Sequence, residues 1–130
     1  MSRCSFFEQN HPMCAGQDLN PGDLLELSGW GVQSEGGQLS DTLKLIQLPY
    51  VADATCAYRY GSVNYISEVM ICAGGLGGAD LCQGDTGSPL TFNQIHVGIA
   101  SWAYGCARPF YPSVYTQTDA ILDWINENIQ

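Results

Sequence analysis

Six short runs of apolar or alternating residues, Leu24 to Val32, Leu43 to Val51, Val69 to Ala73, Pro89 to Phe92, Ile95 to Trp102 and Ser113 to Gln117, are set apart by clusters of Gly, Pro, Ser or Asp. Runs this short between turn formers read as strands, and six of them at such spacing predict an all-β fold, a small antiparallel barrel. After the last run the period changes. Ile121, Leu122, Ile125 and Ile129 recur every three to four residues, with Thr118 or Asp119 available as N-cap, so a closing helix is expected over 119–129. Residues 1–23 carry Asn10, His11, Pro12, Asn20, Pro21 and Gly22 with little periodicity and read as an irregular opening segment before a barrel domain spanning 24–130.

At 130 residues the chain is long enough for one buried core and too short for two barrels. A formal charge of -9 with four Lys plus Arg argues against nucleic acid or an anionic membrane as partner, because both require a basic face. Charged residues make up 13%, against about 25% in ordinary soluble domains. Some apolar surface is therefore expected to meet another protein surface. Six cysteines in a short chain favour an oxidising, extracellular setting with a disulfide framework. No C-x-x-C pair occurs and His11 with Cys14 stands alone, so no metal site is expected. No 15-residue apolar run follows Met1, so neither a signal peptide nor a membrane span is read here. A secreted domain without a leader leads to the expectation that the chain lacks its true N-terminal part.

The stretch Asp80-Leu81-Cys82-Gln83-Gly84-Asp85-Thr86-Gly87-Ser88-Pro89 carries the chemical information. A loop that activates a hydroxyl for acyl transfer needs glycines, so that backbone N–H groups can face a developing oxyanion beside an exposed side-chain oxygen. These residues resemble the Gly-Asp-Ser-Gly-Gly-Pro signature of the chymotrypsin/trypsin serine peptidases, with Thr86 at the serine and Ser88 at the second glycine of the pair. Further elements fit over roughly 24–130. Ser28-Gly29-Trp30-Gly31 resembles the opening of the family's second barrel, and Met70-Ile71-Cys72-Ala73-Gly74 the strand entering the specificity loop. Ser101-Trp102-Ala103-Tyr104-Gly105-Cys106-Ala107 resembles the segment that pairs with substrate backbone, Pro112 to Thr116 the strand after it, and Trp124 the tryptophan of the terminal helix. The resemblance implies a six-stranded Greek-key barrel, the C-terminal half of the family's fold, and no cofactor.

It also implies roles. Thr86 stands at the nucleophile position, Gly84 in the oxyanion hole, and Asp85 where the family binds a newly freed N-terminal amine. That amine is absent here, so a costly buried charge and a rearranged, zymogen-like loop are expected. Asp80 falls at the floor of the primary specificity pocket, implying preference for Arg or Lys, with Ser101, Trp102, Ala103 and Ser113 around the substrate. Ala103 and Ser113 replace glycines of trypsin-like enzymes and should narrow the slot. Cys56 is implied to pair with Cys72 and Cys82 with Cys106. Cys4 and Cys14 fall outside the resemblance, and either they bridge each other or one bonds elsewhere. A further disulfide of many relatives is missing, and its positions match Leu25 and Phe92, which suggests an apolar contact instead. The glycines from Gly74 to Gly78 read as a flexible loop; no Lys-Ser/Thr follows for a phosphate cradle, and one copy makes no calcium repeat.

The family's histidine lies in an Ala-Ala-His-Cys context and its aspartate in Asp-Ile-Ala-Leu, and neither string occurs. His11 and His96 read as solvated or packing histidines. Threonine acts as a nucleophile where its own N-terminal amine is the base, and Thr86 is internal. Loss of base or nucleophile from a triad costs about 10⁶ in kcat, roughly 8 kcal/mol. The expectation is a truncated, catalytically inactive homologue. It would keep a pocket for basic side chains and act in regulation or as a decoy. The alternative is one half of a secreted serine-type endopeptidase whose first barrel lies elsewhere. Partners would be a peptide or protein bearing Arg or Lys, and the first barrel or another protein chain against the exposed apolar face.

Overall fold

The computed structural model describes residues 19–129, and the calls on His11, Cys4, Cys14 and most of the opening segment lie outside that span. Six strands form the barrel: β1 (Leu24–Gly29), β2 (Lys44–Val51), β3 (Met70–Ala73), β4 (Pro89–Phe92), β5 (Ile95–Trp102) and β6 (Ser113–Gln117). All neighbours run antiparallel, and the closed order β1-β2-β3-β6-β5-β4 brings β4 back beside β1. Closure leaves no sheet edge open.

Alternation along β1 turns Leu25 and Leu27 inward and Leu24 and Glu26 outward, the period of two that a pleated strand imposes. With Leu48, Ile71, Leu90, Val97, Ala100 and Tyr115 these leucines form the barrel core. Leu25 and Phe92, the expected apolar substitute for a disulfide, both join that cluster. Leu19 packs against it too, while Gly22 and Asp23 exchange backbone bonds with Tyr50 of β2.

β1 stops at Gly29, three residues short of the expected Val32, because the backbone there turns against a buried carboxylate described below. A helix that the periodicity did not announce, α1 (Asp53–Tyr60), follows β2. It buries Cys56 and Tyr60, spaced i to i+4 on one face, against Val51, Cys72 and Val114. Cys56 is bonded to Cys72 of β3, clamping α1 to the sheet. The expected closing helix divides into a 3-10 turn (Asp119–Ile121) and α2 (Leu122–Asn128). Neither Thr118 nor Asp119 caps it through its side chain: Thr118 faces His96 instead, and Asp119 Oδ1 is buried with no partner among the described residues. Of the four expected inward residues, Leu122 and Ile125 are buried, whereas Ile129 and the neighbouring Trp124 are exposed.

Large apolar side chains stand open on and around the β1–β2 hairpin: Leu24, Trp30, Leu39, Leu43 and Leu45 are each more than half exposed. Among the described residues no helix is long and apolar enough to cross a membrane.

Candidate functional site

The segment from Gly74 to Ser88 links β3 to β4 and holds both acidic residues singled out by the sequence. Its shape is set by positive-φ glycines: Gly84 at +93° and Gly87 at +89° bracket Asp85 and Thr86. Such backbone angles strain any residue with a Cβ, so this hairpin-like turn depends on glycine at both places. Asp85 N–H donates to Cys82 O and Ser88 N–H to Asp85 O, while Gly87 and Ala100 N–H groups bond across to the Ala100 and Ser88 carbonyls. The loop is thus laced to β5 at the point where a bulge between Ala100 and Trp102 interrupts its pairing with β6. Bulges re-aim side chains at such rims, here at Ser101 and Trp102.

Asp85 turns inward and is buried. One oxygen accepts the Gly31 N–H at 2.7 Å, the other the Cys82 N–H at 3.3 Å. A Cβ on Gly29 or Gly31 would come within 2.2 Å of that carboxylate, so both positions have room only for hydrogen. Among the described residues Asp85 makes no ion pair. The expected penalty of an unpaired buried charge is offset by two charge-assisted amide bonds rather than by a cation. With Asp85 inward, Gly84 and Thr86 are exposed, and neither of their N–H groups has an acceptor among the described residues. Leu39 packs over Gly84.

Five residues before, Asp80 is largely buried. Its Oδ1 accepts the Leu81 N–H at 2.8 Å and the Ser113 hydroxyl; its Oδ2 accepts the Gly75 N–H at 3.1 Å. Burial raises its pKa above the usual carboxylate value, against the opposing pull of Ser113 and the two amides. A cavity of about 330 Å³ runs between the acidic residues, lined in part by Gly29, Gly31, Lys44, Gly78, Asp80 and Asp85. Ser101, Trp102, Ala103 and Ser113, expected around substrate, do not line it. Ser113 starts β6 and is buried, whereas Ser101, Trp102 and Ala103 are half-buried.

Cys82 is bonded to Cys106, which carries the Asp80–Thr86 loop onto the loop after β5. That loop is also held from a third direction. Glu35 accepts the Cys106 N–H at 2.8 Å and pairs with Arg108 at 2.9 Å, and Arg108 lies over the Tyr104 ring. Behind Trp102, Tyr60 of α1 packs edge-on at 5.0 Å and leads to Tyr111 and Tyr104. The Tyr60 hydroxyl donates to Pro112 O, and burial raises its pKa to about 12. The sequence reading missed Glu35, Arg108 and Tyr60. Glu35 and Arg108 are 73 residues apart and show no local pattern, and for Tyr60 the single i, i+4 pair with Cys56 was too short a period to announce a helix.

The structure separates His96 from Thr86. His96 sits four residues before Ala100 on β5, about 13 Å along an extended strand. Its Nδ1 lies 3.2 Å from Thr118 Oγ1, and burial lowers its pKa. No group of three metal-ligating side chains occurs among the described residues.

Residues 2–125 match the family model described as Trypsin. The chain is 49% identical over 107 residues to Trypsin-1 of Astacus astacus, an alignment covering 78% of this chain and 45% of the relative. It is 42% identical over 113 residues to a vitellin-degrading protease of Bombyx mori, covering 86% and 43%, respectively. A trypsin of Saccharopolyspora erythraea is 43% identical over 110 residues, covering 84% and 48%. The chain thus spans less than half the length of these relatives.

Proposed function

The chain belongs to the trypsin family of serine peptidases, and on that premise we propose that it is a binding barrel that does not itself hydrolyse peptide bonds. The observation that carries this reading is a fixed, part-buried carboxylate at Asp80 together with a Thr86 hydroxyl near which the described residues bring no histidine. Recognition and chemistry are thereby uncoupled. Asp80 attracts a basic side chain, because a buried carboxylate is best offset by a fixed cation. Ser101 and Trp102 at the rim of β5 offer backbone to an extended peptide, as in strand addition. Thr86 occupies the nucleophile position and Gly84 the oxyanion position, but an alcohol without a base stays protonated. The two disulfides among the described residues support an oxidising, extracellular setting. Its role is then to capture lysyl or arginyl segments in regulation or as a decoy.

A second reading is favoured by the coverage of under half of each relative. In it the barrel is one half of a secreted endopeptidase, and the apolar side chains around β1 and β2 meet a first barrel that supplies histidine and aspartate. One set of assays separates the two. A peptide with a single internal lysine should bind the chain, lose binding in Asp80→Asn, and remain uncleaved. If adding a separately produced first barrel gives cleavage, and Thr86→Ser raises it, the second reading stands and the first falls.

A further inference from the structure

The loop that leaves β3 is tied at both ends and free between. Up to Gly75 it is anchored: Gly74 N–H donates to Pro49 O and Phe110 N–H donates to Gly75 O, each at 2.9 Å. Anchoring resumes at Leu81, whose N–H donates to Asp80 and whose side chain joins the barrel core. Leu76, Gly77, Gly78 and Ala79 make no hydrogen bond among the described residues. Leu76 is 74% exposed, so no packing holds it either. Gly75 and Gly77 flank it at φ of +82° and +80°, and glycine passes from there to an extended backbone without a Cβ in the way. A peptidase takes its substrate extended and cuts where local opening costs little. Leu39 and Tyr65 are also well exposed but are tied down: Leu39 packs over Gly84, and Tyr65 precedes Ile66, which packs on the α1 cluster.

We propose that the Leu76–Gly77 bond is a processing site, cut by a peptidase whose primary pocket takes a large apolar side chain, and that the product is a two-piece barrel. Water adds across the amide: the C–N bond breaks, Leu76 ends in a new carboxylate and Gly77 begins with a new ammonium. The fold divides at the same place. Residues 19–76 carry β1, β2, β3 and the Cys56–Cys72 bond, and residues 77–129 carry β4, β5, β6 and the Cys82–Cys106 bond. No disulfide among the described residues crosses the cut. Each piece keeps its own clamp. The two are joined by the pairing of β1 with β4 and of β3 with β6, by a core drawn from both, and by the Gly31–Asp85 and Glu35–Arg108 contacts. The cut also falls between Gly75 and Asp80, so one of the three donors to that carboxylate stays on the other piece. Asp80 then lies three residues from a chain end instead of inside a closed loop. The site is independent of what Asp80 binds.

The test is brief digestion of the folded chain by chymotrypsin, read by mass spectrometry and size exclusion, with Leu76→Asp alongside. Within residues 19–129 the first cut should follow Leu76. The nicked protein should elute with the intact chain in native buffer and separate into two pieces in urea without reductant. Leu76→Asp removes the side chain that fills the peptidase's pocket, and should slow the cut by about tenfold or more. Its urea midpoint should match the wild type, because the fold makes no use of that side chain. A first cut at another bond, such as those after the exposed Trp30, Tyr58 or Tyr65, would overturn the site, as would an unchanged rate in Leu76→Asp. Pieces that part in native buffer, or that stay joined in urea, would overturn the two-piece barrel.

Discussion

Asp80 and Asp85 lie on one loop, line one cavity and are both held by protein donors, yet the structure treats them differently. Asp85 reaches across the fold. Its Gly31 bond joins positions 54 residues apart, and two glycines of the β1 exit are closed tightly around it. Asp80 is held by its own loop and by one side chain of β6, and its pKa is raised. One carboxylate is a fastener, and on the proposed reading the other is the one that meets a basic side chain. The difference is one of reach rather than of donor number: Asp85 accepts two amide bonds, one of them across the fold, whereas Asp80 accepts three from its own loop and the start of β6 and still has its pKa raised by burial.

The largest expected effect breaks the fastener. Asp85→Ala strands the Gly31 and Cys82 N–H groups and empties the space between two glycines, at about 4 kcal/mol. Urea denaturation should show this loss, and a change under 1 kcal/mol would mean that the Asp85 bonds do not hold the loop. Next, replacing Cys82 and Cys106 together by serine removes the link that joins the acidic loop to its neighbour, at about 3 kcal/mol in the chain-entropy model. That loss should appear as a lower urea midpoint, with cation binding weakened as well.

The smallest effect carries the opposite sign. Because the folded-state pKa of Asp80 is raised, its ionisation works against folding: the stability it contributes is present below the unfolded pKa and is lost as pH rises through the raised folded value. Asp80→Asn should therefore gain on the wild type as pH climbs through that range. Urea midpoints of both proteins across acid to neutral pH would show it. A wild type that instead gains on the variant would make Asp80 a second fastener and erase the contrast.

Much of this was legible beforehand. Strand runs bounded by turn formers gave β4, β5 and β6 at the residues where they lie, because a short apolar run between turn residues is a local signal. The ends of β1 and α2 were not legible. β1 stops where Gly29 meets Asp85, a contact between distant segments, and Ile129 lies beyond the last helical turn. α1 hid in a segment without a capping side chain and with only one inward pair. At the site, the inward turn of Asp85 follows from one long-range amide, that of Gly31, and the Ser113–Asp80 bond from β6 meeting the loop after β3. A sequence names Ser113 but not the oxygen it faces.

The central claim is that recognition persists here without a base to activate Thr86. The direct measurement is hydrolysis of a lysine thioester by the purified chain beside Thr86→Ala, a substitution at an exposed position that should shift stability by less than about 0.5 kcal/mol. The account predicts equal, background rates for the two proteins. Turnover by the wild-type chain that disappears in Thr86→Ala would contradict it.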